Sequence, residues 1–420
     1  MPPDAWEHRR LYHGTLVADG ERVLDEVMVA VMVGPESYTG EDMGEISCHG
    51  SMLIVNAILE QLYRCGAHPA EPGEFTKRAF LNGKIDLIQA EAICDLIHAR
   101  SHLQRRVAQE QLGGSLSNSL GSLADELVSL LATVEASIDF IEEDIEPLDR
   151  PSAVRLLERH ARELERLLAG SEFSRPFREG FRVAIAGPVN AGKSSLFNRL
   201  VGAERAIVTD IPGTTRDLLR EPVLIDGLLF LFHDTAGLRE RAGDRVEEIG
   251  VGKTHETLRD ADCVLFVIDG SQPLTKEVIK SAIKLDNERS ILVVNKNDLT
   301  PAVDEREMTG TFPDMKRVSV SALTGAGCDA LRRRMLDVVG LEKISRIAAE
   351  RVILNTRLIH LLRQASERCR VAGTLIEEGN PLEIVAVELR ELLSRYEEAT
   401  GRRYSEQILD TVFSRFCIGK

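Results

Sequence analysis

A chain of 420 residues is longer than one hydrophobic core usually serves, so two or three domains are expected. With 67 acidic against 52 basic residues and a net charge of −15, the chain does not advertise a broad nucleic-acid-binding face, although a local basic patch is compatible with it. Seven scattered cysteines without a C-x-x-C pair argue against a disulfide framework or zinc site and for a reducing cytoplasm; no apolar run approaches the ~20 residues of a membrane span, and the first residues read as neither signal nor transit peptide.

Residues 1–83 read as a mixed α+β domain. Residues 27–33 are an unbroken apolar run expected to be a buried strand. Residues 51–62 place Met52, Val55, Ile58, Leu59 and Leu62 on one side of a helix. From residue 84 the texture turns helical. Leu116, Leu120, Leu123, Leu127, Leu130, Val134, Ile138 and Ile141 recur at steps of three and four, the stripe of a helix that needs a helical partner. Val154, Leu157, Ala161, Leu164 and Leu168 form a second stripe. Between them Asp139, Glu142, Glu143, Asp144 and Glu146 make an acidic run, read as a solvated helix end in preference to a metal or partner site. Residues 170–176 read as a loop.

After that loop comes an apolar strand pattern over residues 181–186, and then Gly187-Pro188-Val189-Asn190-Ala191-Gly192-Lys193-Ser194. A G-x-x-x-x-G-K-S spacing between strand and helix is a phosphate-binding P-loop. Its glycines let successive N–H groups turn inward, and the following helix adds partial positive charge. Lys193 is expected at the β- and γ-phosphates and Ser194 on Mg²⁺. Residues 209–217 contain Thr209, Asp210, Ile211, Pro212, Gly213, Thr214 and Thr215; Thr215, with Thr214 as close rival, is expected to complete the Mg²⁺ shell and sense the γ-phosphate. Asp234-Thr235-Ala236-Gly237 ends another apolar run, where an Asp holds the Mg²⁺ shell and a Gly frees a backbone N–H for the γ-phosphate.

Asn295-Lys296-Asn297-Asp298 follows the strand pattern at 291–294. An Asp carboxylate accepts from guanine N1 and N2, a donor pair that adenine lacks, so Asp298 selects the base. Ser321-Ala322-Leu323 follows a further strand and offers backbone to guanine O6. Singly, N-K-x-D is a common solvated turn; the four segments in this order, each at a strand end, fit ligand binding at the carboxyl edge of an open α/β sheet. The GTP contacts are thus expected from Asn190, Ala191, Gly192, Lys193, Ser194 and Ser195, residues 209–215 and 234–237, and Asn295, Lys296, Asp298, Ser321, Ala322 and Leu323. Where Ras-like proteins carry a water-positioning Gln, this chain has Leu238, so hydrolysis is slow or proceeds otherwise. Beyond residue 342 Leu382, Val385, Leu389, Leu392 and Tyr396 restore a helical period. The expected organisation is an N-terminal domain over 1–83, two halves of one helical domain over 84–180 and 343–420, and a Ras-like P-loop domain over 181–342 inserted between them.

The chain resembles the tRNA-modification GTPase MnmE (TrmE) family over nearly its whole length. The resemblance is carried by Gly73-Glu74-Phe75-Thr76-Lys77-Arg78-Ala79-Phe80-Leu81-Asn82-Gly83-Lys84, by Asp86-Leu87-Ile88-Gln89-Ala90-Glu91-Ala92, by the P-loop with its Asn, and by Phe416-Cys417-Ile418-Gly419-Lys420. The family's first strands, with T-I-x-A and R-I-S-G, have no counterpart, so the resemblance implies a shortened N-terminal domain. It implies a folate-binding N-terminal domain that dimerises, and a homodimer working with an MnmG-type flavin protein. Together they install aminomethyl or carboxymethylaminomethyl at C5 of the tRNA wobble uridine. It implies a tetrahydrofolate derivative (5-formyl or 5,10-methylene) bound by Glu45, Lys84 and Lys420; a thiol role for Cys417 is a hypothesis.

The resemblance also implies how the missing glutamine is replaced. G domains of two subunits meet over K⁺, held by Asn190, Thr209, the Ile211 carbonyl and Thr214, a charge placed where an arginine finger would act. Lys193 and Asn190 stabilise developing charge, and Glu247 orients the water, with Glu248 a substitute. Two other readings share the motifs: a ribosome-assembly GTPase that binds rRNA, and a folate-dependent one-carbon transferase in which GTP is regulatory.

Overall fold

The computed structural model describes residues 6–18, 22–139, 148–203, 220–233, 258–302, 305–342, 344, 353–417 and 419. Three strands come first: β1 (Leu11–Ala18), β2 (Arg22–Met32) and β3 (Met43–Ser47). Helices follow: α1 (Met52–Arg64), α2 (Glu74–Leu81), α3 (Leu87–His98), α4 (His102–Leu112), α5 (Ser115–Asp139), α6 (Arg150–Leu168) and α7 (Ser174–Glu179). The middle of the chain holds β4 (Phe181–Ala186), α8 (Lys193–Ala203), β5 (Arg220–Ile225), β6 (Leu228–His233), β7 (Cys263–Asp269) and α9 (Lys276–Ile283). It continues with β8 (Ser290–Asn295), α10 (Glu305–Thr311), β9 (Lys316–Ser319) and α11 (Cys328–Val339). Then come α12 (Thr356–Glu377), α13 (Leu382–Thr400) and α14 (Glu406–Phe413). No described helix is long and apolar enough to cross a membrane, and all seven cysteines are free.

The chain forms two compact units. One is Met1–Ile97, Glu110–Arg162 and Leu361–Lys420; the other is His98–Gln109 and Glu163–His360. In the first, β1, β2 and β3 make an antiparallel sheet with β2 central, Val29 facing Tyr12 on one side and Ile46 on the other. The expected buried strand over 27–33 falls in the second half of β2, which ends at Met32, and only its Val27 is buried, because the three-stranded sheet leaves the rest partly open. Neither β1 nor β3 was expected, because both are mostly solvent-facing and carry no continuous apolar run. The helix expected over 51–62 is α1, but of its apolar side only Ile58 is buried, while Met52 is 70% exposed.

The apolar stripe of α5 is core: Leu116, Leu120, Leu127 and Val134 are buried, and the helix packs along α13. From α13 come buried Val385, Leu389, Leu392 and Tyr396. Arg390 on α13 pairs with Glu135 on α5 at 2.6 Å. On α6, Leu157, Ala161 and Leu164 are buried. Ile141 and the acidic residues Glu142, Glu143, Asp144 and Glu146 lie outside the described residues. One polar chain crosses this core. His160 on α6, fully buried, meets Glu126 Oε2 at 2.9 Å through Nε2, and the Tyr396 hydroxyl at 3.2 Å through Nδ1. With Glu126 ionised, Nε2 carries the proton and Nδ1 accepts from Tyr396.

The tail packs as well. Phe413 and Phe416 join Phe80, Leu87 and Ala90 in one cluster, and the Gly73 N–H points at the Cys417 carbonyl at 3.4 Å. Gly73 sits at φ +70, and a Cβ there would lie 3.0 Å from the Phe413 carbonyl and Phe416.

In the second unit, residues 170–176 are not a loop: a 3₁₀ turn at Ser171–Phe173 runs into α7. Pro176 is compatible because it stands in the first turn, where its missing N–H has no helical partner to lose. The sheet order is β5-β6-β4-β7-β8-β9; β5 is antiparallel to β6 and every other pairing is parallel. Alternate residues serve opposite faces. Val183, Ile185, Leu265, Val267, Ile291 and Val293 meet Leu196 and Leu200 of α8 and Leu331 and Met335 of α11. Phe266, Ile268, Leu292 and Val294 meet Ala282 of α9, Met308 of α10, Phe312 and Met315. A parallel sheet covered on both sides therefore reads as continuous apolar runs in sequence. Since β4 pairs with β6 on one side and β7 on the other, chain connections diverge at β4, and the carboxyl end of such a strand is where open α/β sheets hold ligands.

Candidate active site

The P-loop leaves the carboxyl end of β4. Gly187 has φ +137, and a Cβ on it would fall 2.0 Å from the Val267 carbonyl oxygen, so only glycine lets the loop pass β7. Asn190 takes the left-handed conformation at φ +64, which Asn tolerates better than most residues. Gly192 has φ +88, and its Cβ would lie 2.2 Å from the Asn295 side-chain nitrogen. The helix α8 starts here, with Leu196 N–H donating to Gly192 O at 2.9 Å. Lys193 Nζ donates to the Pro188 carbonyl at 2.6 Å, so its amine folds over its own loop. Ser194 and Ser195 are exposed in the first turn of α8.

The base-side segments assemble at the ends of β8 and β9. Asn295 is buried, and its amide makes two bonds: Nδ2 donates to Ala191 O at 2.9 Å, and Oδ1 accepts from Ala322 N at 3.0 Å. One side chain thereby ties the P-loop to the Ser321-Ala322-Leu323 loop. Ser321 Oγ donates to Asp298 Oδ1 at 2.5 Å, fixing the carboxylate expected to read guanine. Lys296 has φ +65 and reaches Asp269 Oδ2 at 2.6 Å. Burial works to raise the Asp269 carboxyl, but the bonds from Lys296 and Ser271 outweigh it and hold the group below its ordinary value.

Two residues here escaped the sequence reading. Asp269 ends β7 opposite Asn295 in register, and an Asp before Gly at a strand end was the available signal. Arg199, on α8, donates through Nε to Ala322 O at 3.0 Å and through Nη2 to Leu323 O; nothing in its helical neighbourhood marked it. The structure thus brings Asn190, Ala191, Gly192, Lys193, Ser194 and Ser195 together with Asn295, Lys296, Asp298, Ser321, Ala322 and Leu323. Thr209, Asp210, Ile211, Pro212, Gly213, Thr214, Thr215, Asp234, Thr235, Ala236, Gly237, Glu247 and Glu248 lie outside the described residues. Of the expected Mg²⁺ ligands Ser194 is described, and of the K⁺ ligands Asn190; both are exposed residues with oxygen-bearing side chains, the donor type a hard cation takes.

The expected folate residues are in the other unit. Glu45 lies on β3, exposed, opposite Ala30. Lys84 Nζ donates to the Pro35 carbonyl at 2.8 Å, and no ion pair joins it to Glu45 among the described residues. Cys417 is half-buried, its carbonyl on the Gly73 N–H; Lys420 lies outside the described residues.

The family model described as "MnmE helical domain" matches residues 87–417, and that described as "GTP-binding protein TrmE N-terminus" matches residues 2–84. A protein named tRNA modification GTPase MnmE from Thermotoga petrophila is 40% identical over 413 residues, covering 98% of this chain and 91% of its own length. A namesake from Natranaerobius thermophilus is 40% identical over 416 residues, covering 99% and 90%. Another, from Symbiobacterium thermophilum, is 43% identical over 409 residues, covering 97% and 88%. Identity of this order from one end of the sequence to the other, added to a P-loop at the switch point of a six-stranded sheet, means that the chain belongs to the tRNA modification GTPase MnmE family.

Proposed function

We propose that this protein hydrolyses GTP and that the cycle serves tRNA modification, as the names of its relatives state. The observation that carries the reading is Asn295, which links the phosphate loop to the base loop while Ser321 orients Asp298. These bonds hold the two loops in register, and preorganised donors cost no reorganisation during reaction. Lys193 and the inward N–H groups of the P-loop hold the phosphates, Asp298 takes the guanine edge, and Glu247 orients the attacking water. Mg²⁺ on Ser194 and Thr215, and K⁺ on Asn190, Thr209, Ile211 and Thr214, would offset the negative charge that builds on the transferring phosphoryl group.

The finer reading is a K⁺-stimulated enzyme that acts as a homodimer with an MnmG-type flavin protein on C5 of the tRNA wobble uridine. The one-carbon unit comes from a tetrahydrofolate derivative held near Glu45, Lys84 and Lys420. Dimerisation is supported by an apolar surface on the N-terminal region: Leu53 is 83% exposed, and Met52, Leu11 and Val23 are exposed too. The folate reading is supported by the tail, whose Cys417 carbonyl meets the loop that begins α2. We also propose that residues 181–342 form a G domain inserted between helical halves at 84–180 and 343–420, supported by the packing of α5 on α13. The ribosome-assembly reading is set aside, because family models of another function cover both ends of the chain.

The test is equilibrium binding of GDP and ADP, followed by single-turnover GTP hydrolysis in K⁺ and in Na⁺. A guanine preference of about a hundredfold or more is expected; equal affinities sink the nucleotide reading. Equal rates in the two salts remove the K⁺ arm alone.

A further inference from the structure

The geometry points to Arg199 as a positioning residue for the guanine ring, acting through the peptide that joins Ala322 to Leu323; the inference rests on the guanine-nucleotide reading above. Arg199 stands on α8, the helix that the P-loop opens. Its guanidinium bonds two consecutive carbonyls of the base loop, Ala322 O through Nε at 3.0 Å and Leu323 O through Nη2. No acidic side chain pairs with it among the described residues. A guanidinium without a carboxylate partner therefore directs its charge at one short turn.

The opposite side of that turn is already fixed. Ser321 N–H donates to Ala326 O at 2.9 Å. Ala322 N–H goes to Asn295, and Thr324 N–H to Ser321 Oγ at 3.1 Å. The Leu323 N–H has no such partner among the described residues, and Leu323 is 76% exposed. That N–H belongs to the peptide whose Ala322 carbonyl accepts from Arg199 Nε, whereas the N–H of the next peptide, whose Leu323 carbonyl accepts from Nη2, is the Thr324 donor already taken by Ser321. A cation on a peptide carbonyl draws electron density from the amide and strengthens its N–H as a donor. Arg199 thus has two effects: it holds the loop against α8, and it sharpens the donor that remains for an oxygen acceptor. Guanine O6 is such an acceptor. The same arm couples the phosphate end of the site to the base end along a second route, independent of Asn295.

The test uses the full chain with Arg199→Gln, which keeps a polar side chain and removes the charge, and Arg199→Lys, which keeps the charge. Dissociation constants are measured for GDP, for 6-thio-GDP, whose sulfur accepts poorly, and for XDP, which keeps O6 but lacks the amine that Asp298 reads. Thermal melts of both variants establish that they are folded. Arg199→Gln is expected to weaken GDP about tenfold, or about 1.4 kcal/mol, and 6-thio-GDP much less, so the preference for oxygen over sulfur shrinks. Arg199→Lys should recover part of that preference, while the GDP-to-XDP ratio stays at its wild-type value. If Arg199→Gln changes none of the constants, or weakens all three by the same factor, the proposed polarisation is wrong and Arg199 is only a brace. Wild-type protein that binds ADP as well as GDP overturns the nucleotide reading itself, a result visible before any variant is made.

Discussion

The Lys296 ammonium lies 2.6 Å from the Asp269 carboxylate, at the point where the end of β7 faces Asn295 on β8. Lys296 reaches it from a left-handed backbone position, so the pair locks the turn that carries Asp298 to the strand beside it. Both partners keep partial solvent access, 33% for Lys296 and 15% for Asp269, which moderates the gain. Asp269→Asn is expected to cost about 1 kcal/mol and to weaken GDP binding severalfold. The folded carboxyl sits below its unfolded value, so the unfolded chain binds more protons in acid. The contribution is present above the ordinary carboxylate range and is lost as pH falls through the folded value. Urea midpoints of wild type should therefore converge on those of Asp269→Asn below about pH 4.

Gly187→Ala should be among the most damaging single changes in the P-loop unit. The added Cβ meets the Val267 carbonyl at 2.0 Å, backbone against backbone, in a conformation at φ +137 that alanine avoids. A loss of about 3 kcal/mol or more is expected, read from denaturant unfolding, with nucleotide binding gone.

Asn295→Ala leaves Ala191 O and the Ala322 N–H without their partner in a buried place. The expected cost is about 2 kcal/mol. Nucleotide dissociation should accelerate in stopped-flow measurements, because the phosphate and base loops then move independently.

His160 predicts an acid sensitivity of the helical core. Burial pushes its pKa down, and the bond to Glu126 only partly opposes this. The native state therefore holds His160 neutral, while the unfolded state takes up a proton. Stability is full above the unfolded value near 6.5 and is lost as pH falls toward the folded one. Unfolding midpoints between about pH 7.5 and about pH 5 should decline in wild type and decline less in His160→Gln, provided the Gln variant folds as judged by circular dichroism.

Glu247→Ala is expected to abolish hydrolysis and spare GTP binding, since a water-orienting carboxylate acts in the chemical step alone. Normal single-turnover rates in that variant would transfer the role to Glu248.

What the sequence discloses follows a physical rule. The P-loop, Asn295 to Asp298 and Ser321 to Leu323, which the fold brings together, stand out in sequence because each is a local run of distinctive residue types. The α5 and α13 stripes were legible because a period near 3.6 survives in sequence whatever the partner is. Arg199 was silent: its meaning lies in two carbonyls far along the chain, and a carbonyl has no letter. Asp269 left only the weak signal of an Asp before Gly at a strand end, because its partner Lys296 follows a different strand. Residues 170–176 misled because Gly and Pro punctuate loops and also begin helices, and only the Pro position within α7 decides. The apolar side of α1 was read correctly as a side, but hydrophobic periodicity cannot say whether that side is covered within the chain.

The bond from Gly73 to Cys417 has a consequence for biosynthesis. The loop before α2 is made early in translation, yet the segment that closes over it, with Phe413 and Phe416, emerges only after the whole nucleotide unit has been synthesised. During synthesis, Phe80 and Leu87 therefore lack these partners until residues 413–417 have emerged, after the whole P-loop unit.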